Sequence, residues 1–75
     1  MIKENKLKGK IVENRYTIKK LADAIGMSTA SLRRKMNGST DFTVGESSKV
    51  KEILNLSNED YLDIFFISEL EYKSR

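Results

Sequence analysis

The sequence predicts an all-α protein, a compact bundle of five short helices. Three observations carry this. Apolar residues recur at helical spacing in five separate stretches. No stretch alternates apolar and polar residues over a useful length. The 75-residue chain has no proline and only four glycines, which suits helices joined by short turns. A chain of this length is one small domain, burying only about 60% of its unfolded surface, so its core has to be compact.

The first helix is expected from about Glu4 to Asn14, with Leu7 and Ile11 one turn apart and Gly9 as a weak point inside it. The second begins at Thr17, whose hydroxyl suits an N-cap. Ile18, Leu21, Ala22 and Ile25 follow at i, i+3, i+4 and i+7, and Gly26 ends the helix. Ser28 caps the third, in which Leu32 and Met36 face inward and Arg33, Arg34 and Lys35 point elsewhere; Asn37-Gly38 stops it. Phe42 and Thr43 open the fourth, where Thr43 and Glu46 have capping-box spacing and Val50, Ile53 and Leu54 face inward. Ser57 caps the fifth. The pairs Tyr16/Leu21, Met27/Leu32 and Leu56/Tyr61 have hydrophobic-staple spacing across three of these helix starts.

Composition excludes several function classes. Cysteine and histidine are both absent, which removes disulfides, Cys/His zinc sites and the usual general base near neutral pH. The four glycines are scattered and form no phosphate-cradling loop. Glu59, Asp60 and Asp63 cluster, but a helix start explains them without catalysis. The expectation is a protein that is not an enzyme and uses no cofactor and no metal. The longest apolar run is Ile64-Phe65-Phe66-Ile67, far short of the roughly 20 residues of a membrane span. The first six residues lack the apolar stretch of a secretory signal. A cytoplasmic location without membrane association is expected.

Charge is divided along the chain. Residues 1–38 carry ten lysines and arginines against three acids, a balance of +7. Residues 39–75 carry four against eight, a balance of −4, which leaves +3 for the whole. A basic half suggests a polyanionic partner or a solvated basic face. Lys3 to Lys10 are assigned first to solvating the first helix, with flanking of a DNA backbone as the alternative.

Thr17 to Gly38 forms a helix-turn-helix candidate. Ala22 is small where the second helix of the pair crosses, Gly26 permits the sharp turn, and Leu32 pins the second helix onto the first. Arg33-Arg34-Lys35 adds charge suited to nucleic acid.

The run Thr17-Ile18-Lys19-Lys20-Leu21-Ala22-Asp23-Ala24-Ile25-Gly26-Met27-Ser28, followed by Leu32-Arg33-Arg34-Lys35-Met36-Asn37-Gly38, resembles the Cro/C1-type helix-turn-helix of phage repressors. It resembles more closely a group of short phage-encoded Cro-like proteins. That group shares a Lys-Leu-x-Gly-Lys-Ile-Val start (Lys6 to Val12) and an acidic segment ending in Phe-Phe (Glu59 to Phe66). Two positions depart from the common repressor pattern. Ile18 stands where glutamine is frequent. Lys35 stands where an apolar residue is usual, with Met36 taking the packing role.

The resemblance covers about residues 6–66 and implies a five-helix lambda-repressor-like fold; the domain is expected over residues 1–67, with the motif at 17–38 and a C-terminal tail at 68–75. It implies a sequence-specific transcriptional regulator that binds double-stranded operator DNA, its recognition helix in the major groove. By the family pattern Thr29, Ala30 and Arg34 face the bases, with Arg33 within reach, while Thr17, Ser28, Ser31, Lys35, Asn37 and Ser39 sit near phosphates. The alternative is an antirepressor or repressor modulator that binds another phage regulator.

The fifth segment holds more apolar residues than one inward stripe requires: Tyr61, Leu62, Ile64, Phe65, Phe66 and Ile67, with Leu70 beyond. Either all of them close a small core, or the remainder is a partner surface. One recognition helix reads only a few base pairs, so a weak homodimer is expected, joined through Ile64, Phe65, Phe66 and Ile67.

Overall fold

The computed structural model describes residues 2–67, with Ile67 by its backbone alone. Five α-helices follow one another: α1 (Glu4–Glu13), α2 (Ile18–Ile25), α3 (Thr29–Met36), α4 (Val44–Ile53) and α5 (Asn58–Leu62). The chain then winds on as a wider π-helical stretch, Asp63–Ile67. There is no strand among the described residues. The expected tail, residues 68–75 with Leu70, lies outside them.

Four helices start alike. The hydroxyls of Thr17, Ser28, Thr43 and Ser57 accept the amides of Lys20, Ser31, Glu46 and Asp60 at 3.0–3.1 Å. Each satisfies one of the amides that a helix start leaves without a partner. At α4 the Glu46 carboxylate returns the bond to the Thr43 amide at 2.9 Å, completing the capping box expected from the spacing.

Four helices also end alike, through a left-handed residue after the last turn. Those residues are Arg15 (φ 61°), Gly26 (φ 82°), Gly38 (φ 90°) and Asn55 (φ 52°). After each, the next amide reaches back to a carbonyl five residues earlier: Tyr16 to Ile11, Met27 to Ala22, Ser39 to Arg34 and Leu56 to Lys51, all at 2.9–3.0 Å. This Schellman closure consumes carbonyls that would otherwise lack partners and reverses the chain in a few residues. Two of the four positions hold the glycine that such a φ favours.

The core is Leu7, Ile11, Leu21, Ala22, Ile25, Leu32, Met36, Val50, Leu54, Leu56 and Ile64. Helix α2 packs on both α3 and α4, and α1 packs on the 63–67 stretch. Met36 is buried, as its assigned packing role requires, and Ile18 packs half-buried against the core. Ser47, the buried polar residue, satisfies its hydroxyl with the Val44 carbonyl (2.9 Å) and the Tyr61 hydroxyl (3.0 Å).

The C-terminal apolar residues divide. Ile64 is wholly buried, which corrects its assignment to a partner surface: its side chain completes the core beside α1. Phe65 is half-buried, its ring 5.2 Å from that of Phe42, edge to face. Phe66 is 44% exposed and Leu62 is also exposed. The side chain of Ile67 lies outside the described residues.

The lysines expected to solvate α1 are tied down instead. Lys3 and Lys6 each lie 2.6 Å from Asp63, and Lys6 and Lys10 reach Asp60 at 3.2 and 2.9 Å. The Lys10 and Lys6 ammoniums hold the Asp60 carboxyl below its ordinary range, and Lys3 and Lys6 do the same for Asp63. Part of the charge division along the sequence is therefore answered within the molecule.

Candidate nucleic-acid interface

The inner face of α3 is fixed by Leu32 and Met36, one turn apart and both buried. Their burial turns Ala30 and Arg34, also one turn apart, outward, and both are exposed. Arg33 is exposed toward the α1 side, where it lines a cleft of about 160 Å³ with Glu4, Lys8, Ile18, Met36 and Asn37. Thr29 and Ser31 are half-buried, while Asn37 and Ser39 are exposed past the end of the helix. Asn37 closes its own turn, its side-chain oxygen accepting the Ser39 amide at 2.9 Å. Thr17 and Ser28 are exposed at the starts of α2 and α3 while they cap those helices.

The geometry between α2 and α3 follows from three residues. Ala22 and Leu32 are both wholly buried. Gly26 turns the chain between the helices in a left-handed conformation. A Cβ at Gly26 would meet nothing within 4 Å, so its φ, not crowding, is what favours glycine there.

The cations around this face differ in what they bind. Lys8 pairs with Glu4, and Lys19 pairs with Asp23 on an exposed surface. Lys35 bonds to the Asp41 carbonyl at 2.9 Å and approaches Glu46 at 3.1 Å, with its side chain largely buried. Its ammonium is thus occupied in holding α3 to α4. Sequence reasoning assigned Lys35 to phosphate and missed both partners, which lie across a turn that periodicity does not describe. Arg33 and Arg34 have no carboxylate partner among the described residues; Arg34 makes a long 3.4 Å bond to the Ser31 hydroxyl.

Residues 3–69 match a family described as a protein of unknown function, DUF739. The chain belongs to the DUF739 family. The match spans α1 to α5 and so takes in the α2–α3 face and the lysine–aspartate network together. Among curated proteins and among solved structures no match to this DUF739 member is found. Among its described residues, no helix is long and apolar enough to cross a membrane.

Proposed function

We propose that this protein is a sequence-specific DNA-binding transcriptional regulator of the phage Cro/C1 type. In this reading α2, the Gly26 turn and α3 act as a helix-turn-helix. Helix α3 enters the major groove of operator DNA by its N-terminal end, and α2 crosses the backbone. The observation that carries the reading is the outer stripe of α3. Ala30 and Arg34 are exposed on one line with Arg33 beside them, while the helix is anchored from behind by Leu32 and Met36. Arg34 is suited to guanine O6 and N7 together, and Ala30 to a thymine methyl. Thr29 reaches a base edge from the first turn. Thr17, Ser28, Ser31, Asn37 and Ser39 contact phosphate, which fixes position without reading sequence.

The working species on DNA is a homodimer, which places two recognition helices about 34–36 Å apart on a near-palindromic site. Exposed Leu62 and Phe66 form its surface. Sedimentation on operator DNA tests this: wild type binds as two chains per site, and a folded Phe66→Asp variant binds more weakly. One chain per operator overturns the dimer.

Retardation of DNA fragments taken from upstream of the protein's own gene tests the main proposal. The expected result is sequence-selective retardation that weakens steeply with salt. Equal retardation of all fragments, or none, overturns it. Capture of a second regulator in place of DNA would favour the antirepressor reading.

A further inference from the structure

We infer that Arg15 is a DNA phosphate-binding residue, an assignment that rests on the DNA-binding reading above and adds a contact outside the α2–α3 motif. Two independent observations converge on it.

The first is conformational. Arg15 sits at φ 61°, in the Schellman closure of α1. Among the described residues only Arg15 and Asn55 hold such a φ without being glycine. Asparagine tolerates the left-handed region; an arginine there carries the Cβ penalty that glycine escapes. The equivalent closures after α2 and α3 use Gly26 and Gly38. The turn itself is firmly made, with the Arg15 amide donating to Val12 and the Tyr16 amide to Ile11, both at 2.9 Å. The fold therefore needs the backbone of residue 15, and among the described residues the Arg15 side chain has no hydrogen bond or salt bridge. An outlier of this kind points toward function.

The second is the partition of charge. In residues 1–38, Lys3, Lys6, Lys8, Lys10, Lys19 and Lys35 all have carboxylate partners. Among the described residues Arg15, Lys20, Arg33 and Arg34 do not. Six of the seven lysines in this half are thus paired with the chain's own acids, whereas none of its three arginines has a carboxylate partner among the described residues. Arg15 is exposed and stands two residues before Thr17. It therefore borders the helix that crosses the DNA backbone in the proposed complex, while Arg33 and Arg34 lie on α3. Arginine's forked donors match the oxygens of a phosphodiester.

The decisive property is opposite signs from one substitution. In Arg15→Gly the left-handed strain disappears, so Tm rises by about 4–8 °C, while one phosphate contact is lost. The log–log salt slope of DNA binding by the full chain falls by about 1, with equal weakening on operator and unrelated DNA. Arg15→Lys keeps the slope near the wild-type value. An Arg15→Gly protein that binds with the wild-type slope overturns the assignment and leaves the DNA-binding reading intact. A lower Tm for Arg15→Gly also overturns it, since the guanidinium would then be supporting the fold. If the wild-type chain binds no DNA, both readings fall together.

Discussion

Lys35 Nζ lies 3.1 Å from the same Glu46 carboxylate oxygen that accepts the Thr43 amide at 2.9 Å. One oxygen thereby joins the last turn of α3 to the first turn of α4. The Thr43 amide is the main reason the Glu46 carboxyl ionises below its ordinary range, and Lys35 adds to it.

A prediction about Lys35 follows directly. If the chain binds DNA as proposed, Lys35→Met should leave the salt slope of binding unchanged, because its ammonium is already held by the Asp41 carbonyl and the Glu46 carboxylate. It costs about 1 kcal/mol of stability, as expected for an ion pair of which both side chains keep some contact with water. Glu46→Ala costs more, about 1–2 kcal/mol, since it removes half of the capping box as well. Urea denaturation of the two variants checks the order.

If α3 reads operator DNA as proposed, Arg34→Ala should lose about 1–3 kcal/mol of operator affinity and relax discrimination at one base pair. Binding to a panel of single-base operator variants reads this out. Uniform weakening across the panel would place Arg34 on phosphate instead.

The Asp60 and Asp63 carboxyls are held low, so their contribution to stability is complete above the ordinary carboxylate pKa of about 4. It is lost as pH falls through their lowered values. Lys6 and Lys10 are raised, chiefly by Asp63 and Asp60 respectively. Their contribution is complete below the ordinary lysine pKa of about 10.4 and is lost as pH rises through the raised values. Thermal melts should therefore show a plateau across neutral pH, with an acid limb that flattens in an Asp60→Asn, Asp63→Asn double variant. An undiminished acid limb in that variant would assign acid sensitivity to other groups.

The same substitution at two glycines should act with opposite signs. Gly9 lies within α1 and Gly26 in the turn after α2, and a Cβ at either meets nothing within 4 Å. Gly9→Ala should stabilise by up to about 1 kcal/mol through helix propensity. Gly26→Ala should destabilise by about 1–2 kcal/mol because of its φ alone. Denaturant midpoints for the two variants measure the difference.

Most of the helix boundaries could be read in the sequence because they are made by local chemistry. Thr17, Ser28, Thr43 and Ser57 cap helices within three residues of themselves, and Leu32 and Met36 orient α3 by spacing alone. What the sequence hid was contact across long separations. Nothing in the pattern near Lys3 or Lys6 announces Asp63, some 60 residues away. The π-helical winding at Asp63–Ile67 was hidden for a related reason. Ile64 and Phe65 are adjacent, yet one is buried and the other packs on Phe42, an arrangement that a single 3.6-residue stripe does not describe. The outward stripe of α3 was legible; the withdrawal of Lys35 from it was not, because Asp41 and Glu46 approach only after the chain has turned.

The backbone bond from the Lys3 amide to the Ile64 carbonyl, 3.0 Å long, has a consequence for how the molecule is made. During synthesis α1 waits for α5: until residues 60–64 have left the ribosome, Lys3 and Lys6 lack Asp63 and Leu7 lacks Ile64 as a fellow core residue. Joining the two ends costs closure entropy that no nearest-neighbour contact offsets. A nascent chain halted before Asp60 would thus lack both the carboxylates that hold Lys3 and Lys6 and the carbonyl that accepts the Lys3 amide.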